Sequence, residues 1–482
     1  MPCTLESLTN IVDKAASLVW GVPLIVAILA TGILLSVMLR FRHVLNIVNA
    51  FRYIFHKGHG HHGEVSAFGA LCTALSATIG TGNIVGVATA ITTGGPGALF
   101  WMEVAAFFGM ATKYAEGLLA VKYRHVAPDG RVLGGPFYYI ERGLGPKWKP
   151  LAILFAVFGI GTGLFGIGTL AQVNGISSAV QRFFDPGFNP ADPATGVTVF
   201  GCTVSVAAMV AGAVVTICAG LVIIGGLKRI AKVSMVVVPF MAISYVAVCL
   251  LVMIGNIEKL PDAAMMIVRA AFDPAAVTGG AVGTIFIAMQ KGIARGIFSN
   301  EAGLGSEPIA AAAAKTNEPA KQGFVSMTGT FIDTIVICTM TGLTIVLSGA
   351  WEPSLKLEGV HMTIEAFSRG VSFIPGAGAF VPFFLMCALT FFAFTTILGW
   401  DFYSEKCLEY IVGMHRRRIV KAYRLLYVAI VAIGPYLSIS LIWSLADVVN
   451  GLMAFPNLIA LILLSPVVVR TTMDFLNRQK EA

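Results

Sequence analysis

The sequence predicts an all-α integral membrane protein with about 11 transmembrane helices. One N-terminal helix is peripheral, and ten form a core of two inverted five-helix repeats with two broken helices. Three observations lead to this prediction. Of the 482 residues, 57% are hydrophobic and only 12% charged, whereas soluble domains carry about 25% charged residues. Many segments are long and apolar enough to cross a bilayer, and two of these are interrupted by glycine and polar residues.

The candidate spans follow one another through mostly short loops. They lie at residues 20–39, 66–92, 97–123, 150–181, 197–225, 230–255, 274–298, 323–348, 374–400, 424–440 and 443–466. The expected organisation is an N-terminal helix with its loop (1–65), a first repeat (66–268), a second repeat (269–466) and a tail (467–482). Many spans without a large soluble domain are typical of a transporter or a channel, and less of a receptor or a membrane enzyme. No organic cofactor and no nucleic-acid partner are expected.

Lysine and arginine are distributed unevenly between the two sides of the membrane. We assign 26 of the 33 to the loops after odd-numbered spans and to the tail, including the stretch from Lys291 to Lys321. Six fall on the other side, and Lys113 lies within a span. Because cytoplasmic loops retain basic residues, the N-terminus is expected outside and the C-terminus in the cytoplasm. The expected location is a bacterial-type cytoplasmic (inner) membrane.

The second span contains the stretch "ATIGTGNIVGVAT", Ala77 to Thr89. Gly80 and Gly82 let the backbone leave helical geometry at low cost, and Thr78, Thr81 and Asn83 add polar side chains beside it. Irregular backbone within a bilayer is tolerated only inside protein or around a cavity. We therefore predict a broken helix here, and the alternative is a small-residue face for helix packing.

A second interrupted span lies between Gly279 and Pro308. We place its weak point at Gly279, Gly280 and Gly283. Without the first span, the two interrupted spans are the first and sixth of ten, and they cross the membrane in opposite directions. Paired broken helices that open two halves of five point to a secondary transporter with inverted repeats.

Three stretches carry a resemblance to a known family: "GTGNIVGVATAITTGGPGALFWMEVAAFFGMATKYAEG", "GIFSNEAGLGSEPIAAAAAKTNEPAKQGF" and "TTILGWDFYSEK". Together they resemble the bacterial alanine or glycine:cation symporter family, over about residues 65 to 465. The resemblance implies a sodium-coupled carrier of small neutral amino acids with the inverted-repeat fold of the amino-acid:sodium symporters.

A more distant similarity, to the leucine-type amino-acid:sodium symporters, implies roles for individual residues. The backbone N–H groups of Thr81 and Gly82 would hold the substrate carboxylate, Asn83 would be a polar ligand near it, and Trp400 would contact its side chain. The implied sodium ligands are the carbonyls of Ser76, Ile79 and Phe392 and the hydroxyls of Thr395 and Thr396. For the two threonines, hydrogen bonding to their own helix stays an alternative.

The substrate ammonium and side chain also need partners. No acidic residue is expected near either break, so acceptors are sought in carbonyls near Thr284 to Ala288 and in Gln172 and Asn174. Interhelical hydrogen bonding is an equal alternative for these two amides. Phe286 and Trp400 are expected to form an apolar wall that leaves room for alanine or glycine.

Several polar groups stay outside this scheme. Asp333 lies near the middle of the eighth span, where an ionisable residue is a functional candidate. Lys113 is its expected ion-pair partner, and Glu116 competes for Lys113 at i,i+3 spacing. Asp333 and Glu103 also keep a proton-coupled carrier of a related amino acid open as an alternative. The stretch His56 to Gly63 is expected to be a solvated loop, with metal binding as the alternative. The oligomeric state stays open.

Overall fold

The computed structural model describes residues 2–55, 63–128, 130–190, 192–199, 202–272, 281–436 and 439–481. The fold in this part of the chain is almost entirely helical, which confirms the predicted class. Nine of its helices are long and apolar enough to cross a membrane, and one bent pair makes a tenth span. Eleven were expected, and the seventh of these begins at residues 274–280, outside the described residues. The His56–His62 loop lies outside them as well.

The first half of the chain forms thirteen α-helices among the residues that the structure describes. They are α1 (Pro2–Val19), α2 (Val22–Met38), α3 (Arg42–Leu45), α4 (Ile47–Phe55), α5 (Ala67–Thr78), α6 (Val87–Gly94), α7 (Gly97–Lys122), α8 (Pro136–Tyr138), α9 (Lys149–Phe165), α10 (Leu170–Phe184), α11 (Val206–Ile223), α12 (Leu227–Gly255) and α13 (Leu260–Phe272). A wide turn, Gly82–Gly86, leads into α6.

The second half forms eight helices among the described residues. They are α14 (Ala281–Asn300), α15 (Pro308–Ala311), α16 (Pro319–Thr330), α17 (Thr339–Leu347), α18 (Gly359–Gly370), α19 (Ala377–Val412), α20 (Arg417–Ile433) and α21 (Ile439–Glu481). A wide turn, Phe331–Cys338, joins α16 to α17. With 36 and 43 residues, α19 and α21 are longer than the roughly 20 residues that cross a bilayer.

Two short antiparallel strand pairs interrupt the helical pattern in the described part of the chain. Strands β1 (His125–Val126) and β2 (Val132–Leu133) pair in the loop after α7, and β3 (Val197–Val199) pairs with β4 (Cys202–Val204) before α11. The predicted span at 197–225 therefore begins too early, because its first residues are a hairpin. Alternating valine and threonine, as in Val197–Val199, favour strand geometry.

Small residues bring the central helices close together. A Cβ on Gly323 of α16 would lie 2.7 Å from the Tyr114 carbonyl oxygen of α7, and a Cβ on Gly399 of α19 would lie 2.9 Å from the Ala77 Cα of α5. Such contacts between backbones are typical of helix packing in membranes. They hold α19 directly against the end of α5, where the first interrupted span leaves its helix.

Candidate functional site

The first interruption lies where the sequence predicts it. Helix α5 ends at Thr78, Ile79 has an extended backbone (ψ 98°), and the following segment Gly82–Gly94 is bent by 53° from α5. Neither Gly80 nor Gly82 has a positive φ, so neither is there for a left-handed turn. Gly80 is required for close approach, since a Cβ there would lie 2.7 Å from the Thr396 hydroxyl and 3.2 Å from the Gln172 amide oxygen.

Four oxygen atoms of α19 and the first break lie close together. The Thr396 hydroxyl donates to the Phe392 carbonyl (3.1 Å) and lies 3.3 Å from the Ile79 carbonyl, while the Thr395 hydroxyl lies 3.0 Å from the Phe392 carbonyl. All of these residues are fully buried. Oxygen ligands of this kind suit a hard cation. Ser76 is also buried, and its hydroxyl donates to the Thr73 carbonyl on its own helix.

The opposite side of the break presents backbone N–H groups. The Gly80 N–H donates to the Asn83 side-chain oxygen (2.9 Å), and the Thr81 N–H donates to the Gln172 side-chain oxygen (3.3 Å). The Thr81 hydroxyl is buried without a partner among the described residues. Gln172 therefore holds a backbone donor that an anionic ligand would also bind. The buried Thr78 hydroxyl instead points back to the carbonyls of its own helix.

Asn83 also contacts the buried carboxylate of Asp333, a contact that the sequence does not predict. Its side-chain amide donates to Asp333 Oδ1 (2.8 Å), and the Ser299 hydroxyl donates to Asp333 Oδ2 (2.7 Å). Thr334 donates to the same carboxylate at 2.8 Å. The expected ion pair between Asp333 and Lys113 is wrong, because Asp333 is held by these neutral donors. Asn83 and Asp333 are polar residues within apolar segments, and this was the only signal in the sequence.

The second interruption lies about 20 residues beyond the predicted position. Helix α14 is continuous from Ala281 to Asn300, so Gly283 is within the helix, and Gly279 and Gly280 lie outside the described residues. The chain instead leaves helical geometry at Glu301 (φ 57°), Gly303 (φ 88°) and Gly305 (φ 80°). We call residues 301–307 the second break. A non-glycine residue with positive φ, such as Glu301, is uncommon in proteins.

The second break contains two buried carboxylates, which corrects the expectation that neither break carries an acidic residue. Glu301 accepts hydrogen bonds from the Trp400 indole (2.9 Å) and the Ser306 hydroxyl. Glu307 forms an ion pair with Lys113 of α7 (2.9 Å). Both carboxylates belong to the stretch "NEAGLGSE", which lies within the predicted interrupted span but beyond the glycines at which the sequence predicts the break.

A third carboxylate, Glu116, lies one turn beyond Lys113 on α7. Its oxygen accepts from the Asn457 amide of α21 (2.6 Å), which also donates to the Gly303 carbonyl (2.9 Å). Tyr139 donates to the Asn457 side-chain oxygen. Glu116 therefore does not compete with Glu307 for Lys113. Lys113 holds the second break against α7 through Glu307, and Glu116 holds it through Asn457 of α21.

The structure does not bring every predicted site residue to the breaks. Phe286 is 58% exposed and lies 13 residues before Ser299 on the continuous α14, about 20 Å away at 1.5 Å per residue. It is therefore not the expected wall, and Phe298 faces the first break instead, 3.6 Å from the position of a Cβ on Gly82. Asn174 is buried, but two residues from Gln172 on a helix it lies on a different face.

Trp400 is buried and packs at the junction of the two breaks. Its indole nitrogen donates to Glu301, and a Cβ on Gly168 would lie 2.6 Å from the Trp400 Cβ. Trp400 follows Thr396 by one turn on α19. It therefore links the helix that carries the hydroxyl oxygens to the second break.

A cavity of about 430 Å³ lies beside the first break. We call it the α6 vestibule; it is lined by Val85, Gly86, Thr89, Thr92, Thr93, Arg295, Glu358, Gly359 and Trp443. Beside it, the Phe298 and Trp443 rings are tilted with their centroids 5.5 Å apart, and the Arg295 guanidinium lies 5.5 Å from the Phe298 ring. Arg295 also approaches Asp447 at 3.9 Å. Arg295 and Trp443 therefore belong both to the vestibule lining and to this cluster with Phe298.

Comparison with known proteins identifies the architecture. The model of the sodium:alanine symporter family matches residues 5–482. The chain belongs to the sodium:alanine symporter family. It is 52% identical over 478 residues to an uncharacterized transporter of Haemophilus influenzae, with 99% of this chain and 97% of that one covered. It is 43% identical over 472 residues to the sodium/alanine symporter AgcS of Methanococcus maripaludis, with 97% of each chain covered.

Another relative is named for a different substrate. The chain is 36% identical to the probable sodium/glutamine symporter GlnT of Bacillus subtilis, with 99% of this chain and 92% of that one covered. Among solved structures, MhsT in complex with L-phenylalanine aligns with a TM-score of 0.55 at 12% identity, covering 86% of this chain and 99% of that one. This likeness shows the fold. The protein is therefore a cation-coupled amino-acid transporter of the membrane and not an enzyme.

Proposed function

We propose that this member of the sodium:alanine symporter family imports alanine and glycine together with sodium by alternating access. The observation that carries the proposal is the proximity of the Ile79 and Phe392 carbonyls to the Thr395 and Thr396 hydroxyls, next to the backbone N–H groups of Gly80 and Thr81, which donate to side chains here. It supports an all-oxygen cation site beside a backbone segment suited to an anion. Sodium and the amino acid are the transported substrates.

Sodium suits these residues because the site contains only hard, uncharged oxygen atoms. Hard cations prefer oxygen ligands, and carbonyl groups freed by an interrupted helix are typical cation ligands in secondary transporters. The carbonyl of Ser76, the remaining implied ligand, lies one turn before Ile79 on α5. The relative AgcS is named a sodium/alanine symporter, which agrees with this assignment.

The amino acid's carboxylate is proposed to bind the backbone at Gly80, Thr81 and Gly82. Freed N–H groups at a helix interruption favour an anion. The Gln172 amide oxygen contacts the Thr81 N–H in this structure, so we expect it to be displaced or to share the donor when substrate binds. Asn83 fixes the break from the other side through Gly80 and Asp333.

Because the first break is buried, it favours a substrate amino acid with a small side chain. Gly80, Thr81, Gly82 and Asn83 are inaccessible to solvent, and a Cβ on Gly82 would already lie 3.3 Å from the Ser299 Cα. Extra methylene groups must displace packed atoms, which is costly. We therefore propose Phe298 and Trp400, in place of Phe286 and Trp400, as the large aromatic side chains that limit substrate size.

Coupling to protons instead of sodium is the alternative, and a buried carboxylate favours it. Asp333 is a fully buried carboxylate beside the first break, and a B. subtilis relative at 35% identity is described as a putative sodium/proton-dependent alanine carrier. Against this alternative, the three neutral donors around Asp333 stabilise its charged form.

The proposed orientation places the α6 vestibule outside the cell and the C-terminus in the cytoplasm. Lys291 and Arg295 lie within α14, and Arg295 borders the α6 vestibule, so these two do not belong to a cytoplasmic loop as the sequence analysis assumes. Twenty-four of the 26 assigned basic residues stay on the proposed cytoplasmic side, and the direction of the bias is unchanged. Fusions of alkaline phosphatase and green fluorescent protein to the C-terminus test this orientation, since only the second should be active.

Uptake of labelled alanine into proteoliposomes tests the ion and the substrate together. An inward sodium gradient without a proton gradient should drive accumulation, and a proton gradient without sodium should not. Unlabelled alanine and glycine should compete, while leucine and glutamine should not. Accumulation driven by protons alone would instead support the alternative, and strong competition by glutamine would assign the protein to the substrate class of GlnT.

A further inference from the structure

A second cavity, of about 670 Å³, lies at the end of α9 where Lys149 begins the helix. We call it the α9 pocket; its polar side is formed by Tyr138, Glu141, Arg142 and Lys149, and its apolar side by Ile153 and Ile411. None of these residues belongs to the proposed transport site. The pocket joins α9 to the last turns of α19.

The polar side of the α9 pocket carries a positive charge. The Arg142 guanidinium lies 4.7 Å from the Tyr138 ring and contacts His125 Nδ1 at 2.9 Å. No carboxylate in the described part of the chain lies within ion-pair distance of Arg142. Lys149 is more than half exposed and lies 3.4 Å from Glu141, which also accepts from the Tyr410 hydroxyl at 2.6 Å. Two cations and one carboxylate leave one net positive charge.

The apolar side of the pocket continues along the exposed surface of α9. Ile153 and Ile411 are each about two-fifths exposed, and Leu154 and Val157 extend the same apolar surface further along the helix. In a membrane-spanning helix such a surface faces acyl chains. Trp148, also exposed, lies directly before α9, and tryptophan is enriched at the membrane–water interface. The pocket is therefore at headgroup level.

We propose that the α9 pocket binds the headgroup of an anionic phospholipid from the adjacent leaflet. Arg142 and Lys149 bind the phosphate, the N-terminus of α9 adds a favourable dipole, and an acyl chain lies along Ile153, Leu154 and Val157. Basic pockets between helices at the membrane surface are suited to such headgroups. A soluble phosphate would use only the polar side, so the apolar continuation favours the lipid.

Lipid titration of the purified full-length protein by native mass spectrometry tests this site. Phosphatidylglycerol should bind at least tenfold more tightly than phosphatidylcholine. The double variant Arg142→Gln/Lys149→Gln should lose roughly fivefold in phosphatidylglycerol affinity for each cation removed. The matched control is Arg417→Gln/Arg418→Gln, which removes the same charge from exposed positions at the start of α20, outside the pocket, and should change the affinity less than twofold.

Three outcomes would overturn the proposal. Equal phosphatidylglycerol affinity in wild type and the pocket variant would show that the lipid binds elsewhere. Equal losses of phosphatidylglycerol affinity in the pocket and control variants would show that overall charge, and not the pocket, determines the binding. Competition by millimolar inorganic phosphate, with binding of phosphate in the absence of lipid, would assign the pocket to a soluble anion. Thermal unfolding in phosphatidylcholine should be the same for all three proteins, which shows that folding is unaffected.

Discussion

The Thr396 hydroxyl differs from the other threonine hydroxyls of α19 in lying beside a carbonyl of the first break. Thr390, Thr395 and Thr396 all donate to carbonyls of their own helix, as is common in membranes, but only Thr396 also lies beside the Ile79 carbonyl of the first break. The hydrogen bond to its own helix and the proposed ion contact are therefore compatible. The alternative raised from the sequence is present in the structure and does not exclude a sodium role.

Thr396→Val should raise the sodium concentration that half-activates alanine uptake by about tenfold. Removing one polar contact to a charged ligand costs about 1.5 kcal/mol, and valine keeps the shape of the side chain. The measurement is the sodium dependence of uptake in proteoliposomes. Thr390→Val is the matched control, because it removes a hydroxyl bonded only within α19, and its sodium dependence should equal that of wild type. An equal shift in both variants would move Thr396 out of the ion site.

Gly80→Ala should abolish sodium-dependent alanine binding, whereas Gly86→Ala in the same segment should retain it. The new methyl group at position 80 would lie 2.7 Å from the Thr396 hydroxyl, so Thr396 must leave its position, but a Cβ at position 86 meets no atom within 4 Å. Calorimetric binding of alanine in detergent with and without sodium distinguishes the two variants. Wild-type binding by Gly80→Ala would show that Gly80 is not required for close approach.

The sequence could predict which residues form the first break. It could predict less well which residues of other helices lie at the same depth in the membrane. Gly80, Thr81 and Asn83 share one short polar stretch in an apolar span, so their proximity follows from the chain itself. Contacts between distant segments depend on helix register instead. Phe286 and Asn174 were placed on the correct helices but at the wrong height or on the wrong face.

At the scale of elements, the second break depends on α7 for its position. Lys113 pairs with Glu307, and Glu116 binds Asn457, which in turn holds the Gly303 carbonyl. The sequence could not assign these partners. Glycine and acidic residues occur at several points between Gly279 and Pro308, and only the packing of α7, α19 and α21 decides which of them leave the helix.

Lys113→Met should destabilise the protein by about 3 kcal/mol, because it leaves the buried Glu307 carboxylate without its cation. The double variant Lys113→Met/Glu307→Gln should recover most of this loss, since it removes both buried charges. Thermal unfolding in detergent measures the effect. Arg478→Met is the matched control at an exposed ion pair with Glu318, where a change below about 1 kcal/mol is expected. A double variant no more stable than Lys113→Met would show that Glu307 is not the relevant partner.

At the scale of the whole molecule, composition and the distribution of basic residues predicted the class of protein and most of its spans. These properties are sums over many residues, so a few misplaced ones do not change them. Lys291 and Arg295 were assigned to a loop and lie within α14, yet the expected orientation is the same. The hairpin before α11 shows the limit, because a short apolar segment with alternating valine and threonine fits a strand as well as a helix.

One peptide group of the first break has a consequence for the transport cycle. The unit between Ile79 and Gly80 directs its carbonyl toward Thr396 and its N–H toward Asn83, so one rigid plane serves both proposed ligands. Any rotation that improves the cation's coordination also reorients the donors that face the amino acid. Thermodynamic linkage then requires reciprocity. The factor by which saturating sodium tightens alanine binding should equal the factor by which saturating alanine tightens sodium binding.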